Sequence, residues 1–174
     1  TVLTATATTT IPPEPTAATE SETTVAVTST IPESDPFFQE HETWFKAYMD
    51  YRTITNTDSV QYAMEQNAWT DDRGLRRMAD DYLVAMGTGW LESGCGERFA
   101  VTLENGSEFT VRVGDIKADQ HTDKTHRYRS CESGANVLEF IVDTGMLSGE
   151  ARNAGTVSVY PELSGNITAI VPAE

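Results

Sequence analysis

The sequence is short of positive charge, of cysteine and of long apolar runs. It carries 12 Lys and Arg against 27 Asp and Glu, a formal net charge of -15. Phosphate binding needs clustered bases, so this balance argues against nucleic acid or an anionic membrane surface as the main partner. The acidity itself reads as a solubility feature. No run of about 18 apolar residues is present, which argues against membrane insertion. The chain has no initiator methionine and no signal peptide, and Thr1 already lies in a threonine tract. The expectation is a mature, extracellular or cell-surface chain, cut after an N-terminal export signal or anchor.

Two cysteines occur, each in a turn-like setting: Ser93-Gly94-Cys95-Gly96 and Ser130-Cys131-Glu132-Ser133-Gly134. One pair in an exported chain reads as a disulfide. Two independent thiols are the alternative, and neither cysteine sits in a catalytic-cysteine signature.

Residues 1–35 hold twelve threonines and five acids, with no Lys, Arg or aromatic residue. Such a segment buries too little apolar surface to offset its ordering entropy, so a disordered Thr/Pro/Glu-rich stalk or linker is expected. Residues 36–81 read as a helical extension. Phe37, Phe38, His41, Trp44, Phe45, Tyr48, Met49 and Tyr51 recur mostly at three- and four-residue steps, which predicts a helix from Pro36 to Arg52. The stripe has enough aromatics to stack on sugars, although docking on the domain is the plainer reading. A second helix is predicted over Thr53 to Asn67, capped by Thr57 or Asp58, and a turn at Asp71-Asp72-Arg73-Gly74.

From residue 82 to 174 the pattern turns to β. Six strands are predicted: Tyr82–Met86, Phe99–Leu103, Phe109–Val113, Val137–Val142, Thr156–Tyr160 and Ile167–Val171. Asn105-Gly106 predicts a type I′ hairpin turn between the second and third. Met146 to Asn153 suits one or two helical turns. Six strands in about 90 residues with little helix suggest a small closed barrel, because closure removes exposed edges.

Chemistry concentrates in Val111 to Asp123, where a strand breaks at Gly114 and three acids, a lysine and a histidine follow. Loops at strand ends are common places for sites. Asp115 falls at the strand end, and Glu139 lies within the most apolar strand, where a carboxyl is costly without a partner or a role. If their strands are close, the two acids face one groove. Burial and nearby carboxylates raise a carboxyl pKa, as an acid that protonates a glycosidic oxygen requires. Lys117 can hold Asp115 ionised or bind a substrate hydroxyl. Asp119, His121, Asp123 and His126 have metal-ligand chemistry but match no defined metal motif, and a polar surface loop reads the same way.

Gly96 to Leu163 resembles the 3D domain, the double-psi β-barrel of bacterial stationary-phase survival proteins and of membrane-bound murein lytic transglycosylase A. The likeness rests on Gly96-Glu97-Arg98-Phe99, the Asn105-Gly106 hairpin, Gly114-Asp115-Ile116-Lys117-Ala118-Asp119, Glu139 in a later strand, and Gly155-Thr156-Val157-Ser158-Val159-Tyr160. The family's Asp-Thr-Gly-Gly segment has an echo in Asp143-Thr144-Gly145, followed here by Met146. The resemblance implies a mainly β, six-stranded double-psi barrel. It also implies cleavage of peptidoglycan glycan strands without water, giving a 1,6-anhydro product. Asp115 would be the acid/base, and Glu139 would raise its pKa or stabilise positive charge at the anomeric carbon. Lys117, Asp119, His121, Asp123 and Asp143 would bind substrate. No metal or cofactor is called for. The incomplete signature keeps a second reading open, a non-catalytic wall-binding or protein-interaction module on a stalk.

Overall fold

The computed structural model describes residues 35–174. The stalk expected over residues 1–35 lies outside them except for Asp35, whose carboxylate accepts from the Phe37 amide and pairs with Arg127 at 2.5 Å. The fold is mainly β. Among the described residues ten strands run in chain order: β1 Ala47–Asp50, β2 Trp69–Thr70, β3 Arg76–Met78, β4 Asp81–Gly87, β5 Arg98–Leu103, β6 Glu108–Lys117, β7 Arg129–Cys131, β8 Gly134–Asn136, β9 Glu139–Val142 and β10 Ile167–Pro172. Three short α-helices accompany them: α1 Phe37–Glu40, α2 Val60–Gln66 and α3 Gly149–Ala154.

The main path is β1-β9-β4-β6-β5-β10, with β2 and β3 attached beside β4 and a separate β7-β8 hairpin. The β1–β9 and β4–β6 pairs are parallel; the others on the path are antiparallel. Five of the six predicted strands stand on this path. The sixth place belongs to β1, from the stretch expected to be helical. The helix stops after one turn, at Glu40, and His41 is already extended. Trp44, Phe45 and Tyr48 are bulky aromatics that suit a half-buried strand as well as a helical stripe. Residues 36–81 are therefore not a helical extension alone: they supply β1, β2 and β3 to the same sheet.

Thr156–Tyr160, expected as a strand, folds instead as a 3-10 turn at Val157–Val159. Its alternation has another cause. Val157 is buried in the core, while the flanking hydroxyls bond to the backbone entering β1. Thr156 donates to Lys46 O at 2.8 Å, and Ser158 donates to Trp44 O at 2.6 Å. Side-chain hydroxyls thus do what a strand ladder was expected to do.

No ladder among the described residues closes the path into a barrel between β1 and β10. Two side chains join the flanks of these strands. The Thr43 hydroxyl accepts from Ile167 N (2.8 Å) and donates to Ile167 O (3.2 Å). The Lys46 ammonium donates to Gly165 O and Trp44 O.

Ser59, rather than Thr57 or Asp58, caps α2, its hydroxyl accepting from Tyr62 N. The β5–β6 hairpin forms as expected, but only Gly106 takes a positive φ (83°) and Asn105 does not. The turn is therefore not type I′, which needs both. Asn105 instead accepts from Ser107 N and donates to Ser164 O. The core contains Tyr82, Val84 and Met86 of β4, Val111 and Val113 of β6, and Phe140 and Val142 of β9.

Candidate functional site

The candidate site is built on a one-residue irregularity in β6. The strand does not break at Gly114 but continues to Lys117. Val84 pairs with Val113, and the next residue, Ala85, pairs with Asp115, so Gly114 is an extra residue on the β6 side. Such a bulge reverses which face the following residues occupy. Val111 and Val113 face the main core; Asp115 and Lys117 face the other side. Gly114 itself is buried, and a side chain there would meet Ile141 Cδ1 at 2.8 Å.

The bulge sets Asp115 in a row with Glu139. Ala85 pairs with Asp115 on one side and with Glu139 on the other. Directly paired residues share a face, so the two acids flank a methyl group on the same surface. The strand spacing of about 4.8 Å sets their Cα atoms about 10 Å apart. The acids are thus not on neighbouring strands: β4 lies between them.

Lys117 joins this row. Its ammonium lies 3.8 Å from Glu139 Oε2 and 3.3 Å from Asn136 O, and the residue is buried. Burial lowers its pKa to about 8, opposed chiefly by the Glu139 charge. Lys117 is therefore a partner of Glu139, where a partner for Asp115 was one expectation. Asp115 is half-buried and borders an open hollow of about 230 Å³, walled by Thr53, Ile54, Thr55, Asn56, Ser59 and Gln61.

The remaining candidates fall elsewhere. Asp123 organises its own loop: it accepts from the Thr125 hydroxyl and from the amides of Thr125, Arg127 and Tyr128. Burial pushes its pKa up, but these donors outweigh burial and bring it down to about 2. Asp119 accepts from the Thr88 hydroxyl at 2.8 Å and stands 3.6 Å from His126 Nδ1. His121 is exposed beside Gln120. Asp143 lies beyond the far end of β9 and is held by Arg52 at 2.6 Å, with Gly145 N also donating to it. Among the described residues no group of three or more His, Cys, Asp or Glu is placed to hold a metal.

Cys95 and Cys131 are both free, so the expected disulfide is absent. Cys95 borders the acidic row from a loop, and Cys131 from the end of β7. Burial, then the Asp115 charge, raises the Cys95 pKa, while Cys131 acts on Lys117.

The sequence reading missed the wall that residues 53–61 raise beside Asp115. It read that segment as the start of a helix running from Thr53, yet α2 begins only at Val60, which is exposed, and Glu65 is its buried residue. The aromatic stripe, in turn, docks on the domain: Phe37 and Phe38 are buried, and Phe38 stacks on Trp90 at 5.6 Å. Comparison with protein-family models, curated proteins and solved structures finds no match for this chain.

Proposed function

We propose that the protein is an extracellular, surface-tethered enzyme that cleaves peptidoglycan glycan strands by the lytic transglycosylase route. The observation that carries the proposal is the row Asp115–Ala85–Glu139, two carboxylates on one face with only a methyl group between them. The hollow beside Asp115 is open to solvent. Asp115 protonates the glycosidic oxygen as the bond to the anomeric carbon breaks. Its carboxylate then takes the proton of the same sugar's 6-hydroxyl, which closes on that carbon to give the 1,6-anhydro product. Glu139, anchored by Lys117, stabilises positive charge developing at the anomeric carbon.

The same reading treats the six-strand path as a divergent double-psi barrel. Its support is that Thr43 and Lys46 bring the flanks of β1 and β10 together where a ladder is lacking.

Incubation with purified peptidoglycan, followed by mass spectrometry for anhydro-muropeptides, tests the proposal. Wild type releases them and Asp115→Asn does not. No product from wild type, or equal product from Asp115→Asn, overturns it.

A second reading, a non-catalytic wall-binding module, is favoured by one observation: the hollow at Asp115 is walled by residues 53–61 and does not include Glu139. Under that reading, retention on insoluble peptidoglycan is unchanged by Asp115→Asn and no anhydro product forms.

A further inference from the structure

The turn between β5 and β6 carries a reaction of its own. Asn105 is followed by Gly106, and no other asparagine in the chain precedes a glycine. Both residues are exposed, and a side chain at Gly106 would meet nothing within 4 Å. Glycine has no Cβ to shield its own nitrogen, so water and the preceding side chain can both reach it. Asparagine is thermolabile, and this is the setting in which its carboxamide is lost most readily.

The reaction balances without a cofactor. The Gly106 amide gives up its proton to water, and its nitrogen attacks Asn105 Cγ. The Cγ–Nδ2 bond breaks and ammonia leaves, closing a succinimide ring. Water then opens the ring at either carbonyl. Opening at Cγ gives aspartate. Opening at the main-chain carbonyl gives isoaspartate, with the chain running through Cγ.

The fold guards the atoms this reaction needs. The Gly106 N–H, whose proton must leave, donates to Leu103 O at 2.9 Å. Nδ2, which must depart, donates to Ser164 O at 2.7 Å and to Pro161 O at 3.4 Å. Oδ1 accepts from Ser107 N at 2.8 Å, so the carboxamide is held at both ends. These bonds must break before Cγ can swing onto the Gly106 nitrogen. The rate therefore follows the population of an opened turn.

Closing again is another matter. The turn rests against the segment before β10: a Cβ on Gly165 would lie 3.8 Å from Asn105 Cγ and 3.4 Å from Glu104 Oε1. Exchanging Nδ2 for oxygen removes the donor to both carbonyls. In its place stands a carboxylate, ionised at neutral pH, that faces those two carbonyl oxygens beside the Glu104 carboxylate. Isoaspartate also adds a carbon to the main chain of the turn. The same segment supplies Gly165 O to Lys46 and the Asn166 side chain to Thr43 N, so its release loosens the flank of β1 as well.

We propose that Asn105 is a deamidation site guarded by its contact with Ser164, and that its conversion is a one-way latch that frees residues 161–166 from the β5–β6 turn. The inference is independent of the glycan reading of the Asp115 row.

Folded and urea-unfolded proteins are incubated at mildly alkaline pH and mapped by mass spectrometry, with isoaspartate read at residue 105. In the unfolded chain Asn105 converts ahead of every other asparagine. In the folded protein it converts at least about tenfold more slowly. Urea below the unfolding transition accelerates it in step with hydrogen exchange at the Gly106 amide. Glu104→Ala, which removes the acceptor for Asn166 and leaves Asn105-Gly106 intact, also accelerates it. Equal rates in folded and unfolded protein, or a rate that ignores Gly106 exchange, overturn the guard. Asn105→Asp tests the latch. Exchange at the Gly106 amide and at the Glu104 amide, which donates to Asn166 O, quickens about tenfold while β4 stays protected. Exchange equal to wild type at both amides overturns the latch.

Discussion

The Lys46 ammonium lies 2.8 Å from the carbonyl oxygen of Gly165, and no part of the Lys46 residue reaches solvent. A lysine in that position carries the cost of its own desolvation, and burial lowers its pKa from 10.5 to about 7, against a smaller upward pull from Glu104.

The first prediction follows from that lowered value. Between pH 7 and 10.5 the unfolded chain keeps a proton on Lys46 that the folded chain has lost. The unfolded state binds more protons, so this residue's contribution to stability rises with pH across that window. Below about pH 7 both states are protonated and the desolvation cost is complete. From pH 7 to pH 9 the gain is about 2 kcal/mol. Urea unfolding of wild type and Lys46→Met at both pH values isolates it, because Lys117 titrates in both proteins. An equal pH response in the two contradicts the assignment.

Thr43 is the second test. Its hydroxyl satisfies both the N–H and the C=O of Ile167, deep in the structure. Thr43→Val keeps the shape and strands both groups, which predicts a loss of about 2 kcal/mol. Thr43→Ser keeps the hydroxyl and recovers most of it. Denaturant midpoints for the three proteins check the order; a Ser variant no better than Val contradicts it.

The loop from Asp119 to Tyr128 hangs on Asp123. Asp123→Ala removes the acceptor for three amides and one hydroxyl, and hydrogen exchange at Thr125, Arg127 and Tyr128 accelerates while the sheet stays protected. Acid has the same effect. The folded pKa, about 2, lies below the usual carboxylate value, so the contribution is full above about pH 4 and is lost as pH falls toward 2. Unchanged exchange at those three amides in the variant refutes this role.

Cys95 and Cys131 make the fourth prediction. Protein purified and unfolded without reductant titrates two thiols per chain. In the folded protein Cys95 alkylates slowly near neutral pH, because burial and the neighbouring Asp115 both disfavour its thiolate. A chain with no titratable thiol restores the disulfide.

What was legible in the sequence follows from range. β4, β5, β6, β9 and β10 were visible because alternation and apolar content are local. β1 was not, since Trp44 and Tyr48, four residues apart, fit both periodicities, and what selects the strand is its pairing with β9, far along the chain. Thr156 to Tyr160 alternates like a strand while its hydroxyls bond elsewhere. The acids Asp115 and Glu139 were picked out by residue type and local setting. Their common face depended on the bulge at Gly114, a register property that no single strand displays. Glu65 was invisible for the same reason: its burial depends on Arg76 across a turn.

The pairing of β1 also sets an order of assembly. Ala47 meets Glu139, a separation of 92 residues, and Thr43 waits for Ile167, 124 residues later. Contacts of such long range form late because a large loop must close first. During synthesis β1 is made early and stays without its partner until β9 has emerged. A chain interrupted before residue 139 therefore presents β1 and one side of β4 as open edges, able to pair with other chains. The strand hardest to read from the sequence is also the one whose exposure makes an incomplete chain prone to aggregate.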